Sequence, residues 1–135
     1  MNRLFPALTV LALFSFCLSS CEFSVSTANI KEAKLTADEA GTTPATTFGQ
    51  NDTVYLKVDL ANAPETTKTS ARWIAADVNY EGIAKDHELN TTELENGSGQ
   101  LTFNLSNDQA WPTGLYRVEL LLNGELNQSL EFTIE

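Results

Sequence analysis

An all-β fold is predicted for most of this chain: a single antiparallel β-sandwich of about seven strands, following an N-terminal signal helix. Three observations predict it. Apolar and polar residues alternate at period two in several short segments, turn-forming residues separate those segments, and no helical periodicity of useful length follows residue 20.

Residues 1–20 stand apart from the rest. A basic start, Met1-Asn2-Arg3, leads into an apolar run over residues 4–18, which closes on Leu18-Ser19-Ser20-Cys21. Basic start, apolar run and small residues come in the order of an export signal. The run is 15 residues long and contains Pro6, short of the roughly 20 that a membrane-spanning helix needs. An uncleaved anchor is therefore the weaker reading. The closing residues resemble the lipobox of bacterial lipoproteins, in which a leucine and two small residues precede the cysteine. That resemblance implies cleavage before Cys21, a diacylglycerol thioether on its sulfur and usually a third acyl chain on its amine. Two or more acyl chains, such as palmitate, anchor stably to a membrane where one does not. The implied location is the bacterial cell envelope. Glu22 follows the cysteine where an aspartate would signal inner-membrane retention, which favours the outer membrane in a host that has one.

The expected organisation is then a signal peptide over residues 1–20, a lipidated tether over 21–29, and one domain over 30–135. Removing the signal leaves 115 of the 135 residues, enough to bury a core without metals or disulfides. Cys17 leaves with the signal and Cys21 carries lipid, so no thiol remains for disulfide or thiol chemistry. Seven Lys or Arg face 18 Asp or Glu in this part, a formal charge of −11 once Arg3 is gone. Such a surface repels nucleic acid and anionic headgroups, and no basic stripe offsets it. Sequons at Asn51, Asn90, Asn96, Asn104 and Asn127 matter only in a glycosylating secretory pathway.

In chain order, residues 30–36 are a first candidate strand. Residues 37–51, rich in Thr, Ala and Gly around Pro44, read as a loop or short edge segment. Val54, Leu56, Val58 and Leu60 then alternate with Tyr55, Lys57 and Asp59, the pattern of a half-buried strand. After a turn at residues 61–65, residues 69–80 form a third long strand whose parity is open. Ala71, Trp73 and Ala75 compete with Ile74, Ala76 and Val78 for the inner face, and a bulge would serve both sets. Residues 81–95 are polar, with at most a short strand around Leu89. Beyond the turn at residues 96–99, Leu101, Phe103 and Leu105 alternate cleanly, as do Tyr116, Val118, Leu120 and Leu122. Leu130, Phe132 and Ile134 end the chain.

Asn123-Gly124 marks a hairpin between the last two strands. A two-residue loop without irregularity would place Val118 opposite Ser129 and turn Leu130, Phe132 and Ile134 to the wrong face. A three-residue loop over 123–125, or one extra residue within the last strand, instead sets Val118 opposite Leu130 and Tyr116 opposite Phe132. Gly124 is expected at positive φ in either case.

Trp73 on the third long strand resembles the buried tryptophan of immunoglobulin-like sandwiches. Trp111-Pro112-Thr113-Gly114-Leu115-Tyr116-Arg117-Val118 resembles the penultimate-strand entry of bacterial immunoglobulin-like domains, with Tyr116 at the tyrosine-corner position, where its hydroxyl would bond upstream backbone. The inter-sheet disulfide of antibody domains has no counterpart here. The resemblance implies an immunoglobulin-like sandwich, an architecture that hosts many functions.

Chemistry-bearing residues are sparse. His87 is the single histidine, set among Lys85, Asp86 and Glu88 on an expected exposed loop, and no nucleophile elbow accompanies it. Neither the histidine nor the cysteines cluster as zinc ligands, and no metal or other cofactor is expected. Asp77, Glu81, Asp86 and Glu88 are the densest acidic group, but their spacing matches no ordered calcium loop. The expected function is a non-catalytic binding module held at the membrane through Cys21, with a protein or glycan partner in the envelope and no nucleic acid. The alternative is a hydrolytic or metal-dependent enzyme using the acidic segment 77–88. Loops distal to the tether are the expected contact surface, and Trp111, Asp108 and His87 are the candidate contact residues. Tyr55 and Tyr80 are further candidates for a binding surface. Trp111 has a second expected role, plugging the open end of the sandwich.

Overall fold

The computed structural model describes residues 27–135, and Cys21 with its signal and most of the tether lies outside them. Among the described residues eight strands occur in order: β1 (Asn29–Thr36), β2 (Thr47–Phe48), β3 (Val54–Ala61), β4 (Lys68–Val78), β5 (His87–Glu95), β6 (Gly99–Leu105), β7 (Gly114–Leu122) and β8 (Glu125–Ile134). They divide into a three-stranded sheet, β1-β3-β6, and a five-stranded sheet, β2-β8-β7-β4-β5. All pairings are antiparallel except the two-residue contact of β2 with β8, which is parallel. The eighth strand beyond the expected seven is this short β2, within the predicted loop or edge segment.

Period-two alternation decides what meets in the middle. Val54, Leu56, Val58 and Leu60 of β3 are all buried, and Leu101, Phe103 and Leu105 join them from β6. From the other sheet come Ala71, Trp73 and Ala75, then Tyr116, Val118 and Leu120, then Phe132 and Ile134. Four aromatic rings join at Phe132: it stacks on Tyr116 at 5.4 Å between centroids and meets Phe48 and Trp73 edge-on at 5.7 and 5.9 Å. Offset and edge-to-face pairs of this kind stabilise beyond their buried area.

Irregularities fall where the pattern breaks. In β4 the inner set is Ala71, Trp73 and Ala75; an extra residue, Ala76, lies between the Ala75–Tyr116 and Asp77–Leu115 pairs. Val78 thereby returns to pack on the core, so the bulge turns that one member of the second set inward. Ile74 lies on the outer face, yet is 95% buried between its cross-strand neighbours Arg117 and Glu88.

The last hairpin has a two-residue loop, not a three-residue one: Leu122 faces Glu125 and Leu121 faces Leu126. Asn123 and Gly124 have φ of 50° and 83°, as a type I′ turn requires, and the twist of that turn suits the flanking strands. The parity correction comes instead from an extra residue in β8, Asn127, after which Val118 meets Leu130 and Tyr116 meets Phe132. Turn preference thus set the loop, and the core set the bulge.

The polar segment also differs from expectation. Residues 87–95 form a nine-residue strand along the edge of the five-stranded sheet. An edge strand exposed on most of both faces has little alternation to show. Its two inward leucines, Leu89 and Leu94, are five residues apart, because Leu89 is an extra residue between the Trp73–Asn90 and Ile74–Glu88 pairs.

Candidate interaction surface

Strand directions sort the loops to two ends. Asn29 pairs with Ala61 at the end from which the tether departs, together with the 96–98 turn and the β7–β8 hairpin. The segments 37–46, 49–53, 79–86 and 106–113 gather at the opposite end. Segment 106–113, which holds Asp108 and Trp111, and segment 79–86, which leads into His87, therefore lie far from the tether, although β5 then runs back the length of the sheet.

These distal loops are tied to one another. The Trp111 amide donates to the Gln50 carbonyl at 2.8 Å, and the Gln50 side-chain amide returns a bond to the Trp111 carbonyl at 2.8 Å. The Asn79 amide donates to the Thr113 carbonyl at 2.8 Å, and its side chain to Thr113 Oγ1 at 3.1 Å. Asp38 accepts from the hydroxyl and amide of Thr42 and the amide of Thr43, which holds its carboxyl below the usual range, the Thr42 hydroxyl contributing most. The Tyr116 hydroxyl donates to the Pro112 carbonyl at 2.6 Å, the expected tyrosine corner. Burial pushes that phenol up to about 12.

Of the three candidate contact residues, Trp111 is corrected. Only 9% of it is exposed, and its ring meets Tyr116 edge-on at 6.4 Å. It is the plug of the sandwich end. Apolar bulk at a loop otherwise made of small polar residues fits either role in a sequence, and only the fold decides. Asp108 is exposed in the 106–113 loop, and His87 is exposed at the first position of β5, not on a loop. The topology brings both to the distal end. Tyr80, 60% exposed in the adjoining 79–86 loop, is the large aromatic that faces solvent there. Tyr55 is half-buried on the outer face of the three-stranded sheet.

The acidic segment does not converge. Asp77 pairs with Lys85 at 3.7 Å, Asp86 pairs with Arg117, and Glu88 accepts from the Thr91 hydroxyl. Among the described residues no group of three His, Cys, Asp or Glu side chains is placed to hold a metal ion. A groove of about 360 Å³ opens between the sheets on the other side, lined by Lys34, Leu35, Pro44, Ala45, Thr46, Leu130 and Glu131. It contains one carboxylate and none of the candidate residues.

No known protein family matches the chain, and no curated protein does. Solved structures do match. An immunoglobulin-like protein from Pseudomonas aeruginosa superposes with a TM-score of 0.51 at 12% identity, over 80% of this chain and 96% of that one. The fold is an immunoglobulin-like β-sandwich. An alkylpurine DNA glycosylase from Pseudomonas fluorescens, bound to DNA with an abasic-site analogue, matches with a TM-score of 0.51 at 19% identity. A β-glucosidase of intestinal bacteria involved in saponin metabolism matches at 0.50 and 20%. The match covers 80% and 82% of this chain but 30% and 16% of those two enzymes. At such identities these likenesses speak to the sandwich alone, which recurs in proteins of unrelated activity.

Proposed function

We propose that the protein is a lipid-anchored module of the bacterial cell envelope that presents its immunoglobulin-like sandwich to a protein or glycan partner without catalysing a reaction. The observation that carries this reading is Leu18-Ser19-Ser20-Cys21 at the close of an apolar run, followed by a sandwich whose loop cluster gathers at the end away from the tether. Acyl chains on Cys21 hold the near end at the membrane. The distal loops then face outward, with Tyr80, Asp108 and His87 as the contact residues. The outer membrane is the favoured site, on the strength of Glu22.

Two measurements test it. Metabolic labelling with a fatty acid should mark the wild-type chain and not Cys21→Ser, which should also leave the membrane fraction; equal labelling of both overturns the anchor. Envelope partners captured by the wild type should be lost on Tyr80→Ala combined with Asp108→Ala while thermal stability is kept. Undiminished capture places the contact surface elsewhere.

A further inference from the structure

On the outer face of the three-stranded sheet, like charges sit directly opposite one another across the strands, while unlike charges follow one another along each strand. Glu32 on β1 lies directly opposite Asp59 on β3, and Lys34 lies directly opposite Lys57. Like charges at directly opposed positions of an antiparallel pair destabilise it. The two rows are neighbours, two residues or roughly 7 Å apart along the strands. Together they ring a shallow hollow of about 40 Å³.

Relief within the chain is partial. The Lys57 ammonium donates to the Glu39 carbonyl at 2.9 Å and to Thr102 Oγ1 at 2.6 Å, which leaves one of its three N–H donors. The side chains of Glu32, Lys34 and Asp59 make no hydrogen bond or ion pair among the described residues, where the ion pairs involve Arg72, Lys85 and Arg117 as cations.

We propose that this face binds a second copy of the chain. The occupant follows from charge complementarity. A negative row beside a positive row matches its own copy when that copy is turned about a two-fold axis in the interface, parallel to the rows and midway between them. Glu32 of each copy then faces Lys34 of the other, and Asp59 of each faces Lys57 of the other. Every opposed like-charge pair gains opposite charges across the interface. The four side chains sum to zero in a chain of net charge −10, so two copies approach through this face with less repulsion than the acidic surface imposes elsewhere. The same operation sets the strands of the two copies antiparallel, and their tethers leave from opposite ends. If the lipid anchor proposed above is also correct, the pairing joins copies carried on facing membranes; the pairing itself does not rest on that anchor.

Sedimentation equilibrium of the full-length chain in mild detergent tests this, run at about 0.05 M and about 1 M salt, where screening lengths differ severalfold. The expected result is a concentration-dependent dimer at low salt that dissociates at high salt. Lys34→Glu with Lys57→Glu makes the face wholly acidic, and Glu32→Lys with Asp59→Lys makes it wholly basic. Each variant alone should lose self-association by about tenfold or more, and an equimolar mixture should restore a one-to-one pair. Lys34→Glu alone, a milder change, should weaken the dimer in the same direction. Cys21→Ser should dimerise as the wild type does, which separates this pairing from the anchor. A wild type that stays monomeric at low salt, variants that dimerise undiminished, or a mixture that fails to pair would each overturn the proposal.

Discussion

The two outer faces of this sandwich have similar kinds of charge and use them in opposite ways. On the five-stranded sheet, the Arg72 guanidinium meets Glu119 at 2.9 Å, Arg117 approaches the other oxygen of Glu119 at 3.9 Å, and Arg117 also holds Asp86. The hydrogen bond that Arg117 donates to Asp86 raises the guanidinium above its ordinary value. Cross-strand neighbours here are of opposite sign, and the charges are satisfied within the chain. On the three-stranded sheet the charged pairs between β1 and β3 are of like sign, and three of the four side chains have no hydrogen-bond or ion-pair partner among the described residues. Composition alone does not separate the faces; register does. A shift of one strand by two residues would turn Lys34–Lys57 into an opposed Lys–Asp pair, and the core-facing alternation would survive that shift, because its parity is unchanged.

Both faces rest on one core, so the largest expected effect lies beneath them. Trp111→Ala should lower unfolding free energy by about 3–5 kcal/mol, the range for a large aromatic removed from a packed interior. Urea denaturation checks it, and an unchanged midpoint would return Trp111 to the surface. Next comes the satisfied face. Glu119→Gln removes the acceptor charge of two arginines and should cost about 1–3 kcal/mol, as loss of a charge-assisted hydrogen bond does. Alkaline pH reaches the same sheet from its inner side, through Tyr116. The folded chain holds this phenol protonated to about pH 12, whereas the unfolded chain releases its proton near 10. The unfolded state therefore binds fewer protons between those values, and stability should fall as pH rises through that window. The fall should be smaller in Tyr116→Phe, measured by melting temperature against pH. Smallest is the open face, where the sign reverses. Lys34→Gln relieves an opposed like-charge pair and should raise the stability of the monomer by up to about 0.5 kcal/mol, read at concentrations too low for association.

The legible parts of the fold were those that bury one face. Alternation at Val54, Leu56, Val58 and Leu60 needs no tertiary information, and each of the four is buried. Trp73 and the Tyr116 corner were legible because their neighbours resemble a known architecture. β5 was not, since an edge strand with few inward residues and a bulge at Leu89 carries no clean period. The position of the extra residue in the last hairpin was not legible either. Parity required one, but loop and strand satisfy parity equally, and the type I′ preference of Asn-Gly settled the choice. At the candidate surface, Asp108 and His87 could be placed at the distal end from loop order, whereas the burial of Trp111 depends on how its loop folds back to set the ring against Tyr116. The opposed charges of the outer face were invisible for a further reason. Which lysine meets which residue is fixed by cross-strand register, and no single strand contains it.

The contrast between the two faces is tested most directly by a pair of double-mutant cycles in equilibrium unfolding, one on Arg72 and Glu119, the other on Lys34 and Lys57. Truncating each residue to an uncharged isostere of similar length isolates the pairwise coupling. The expected result is favourable coupling for Arg72–Glu119, roughly 1 kcal/mol at this partial exposure, and unfavourable coupling for Lys34–Lys57. Zero coupling in the first cycle together with favourable coupling in the second would contradict the account.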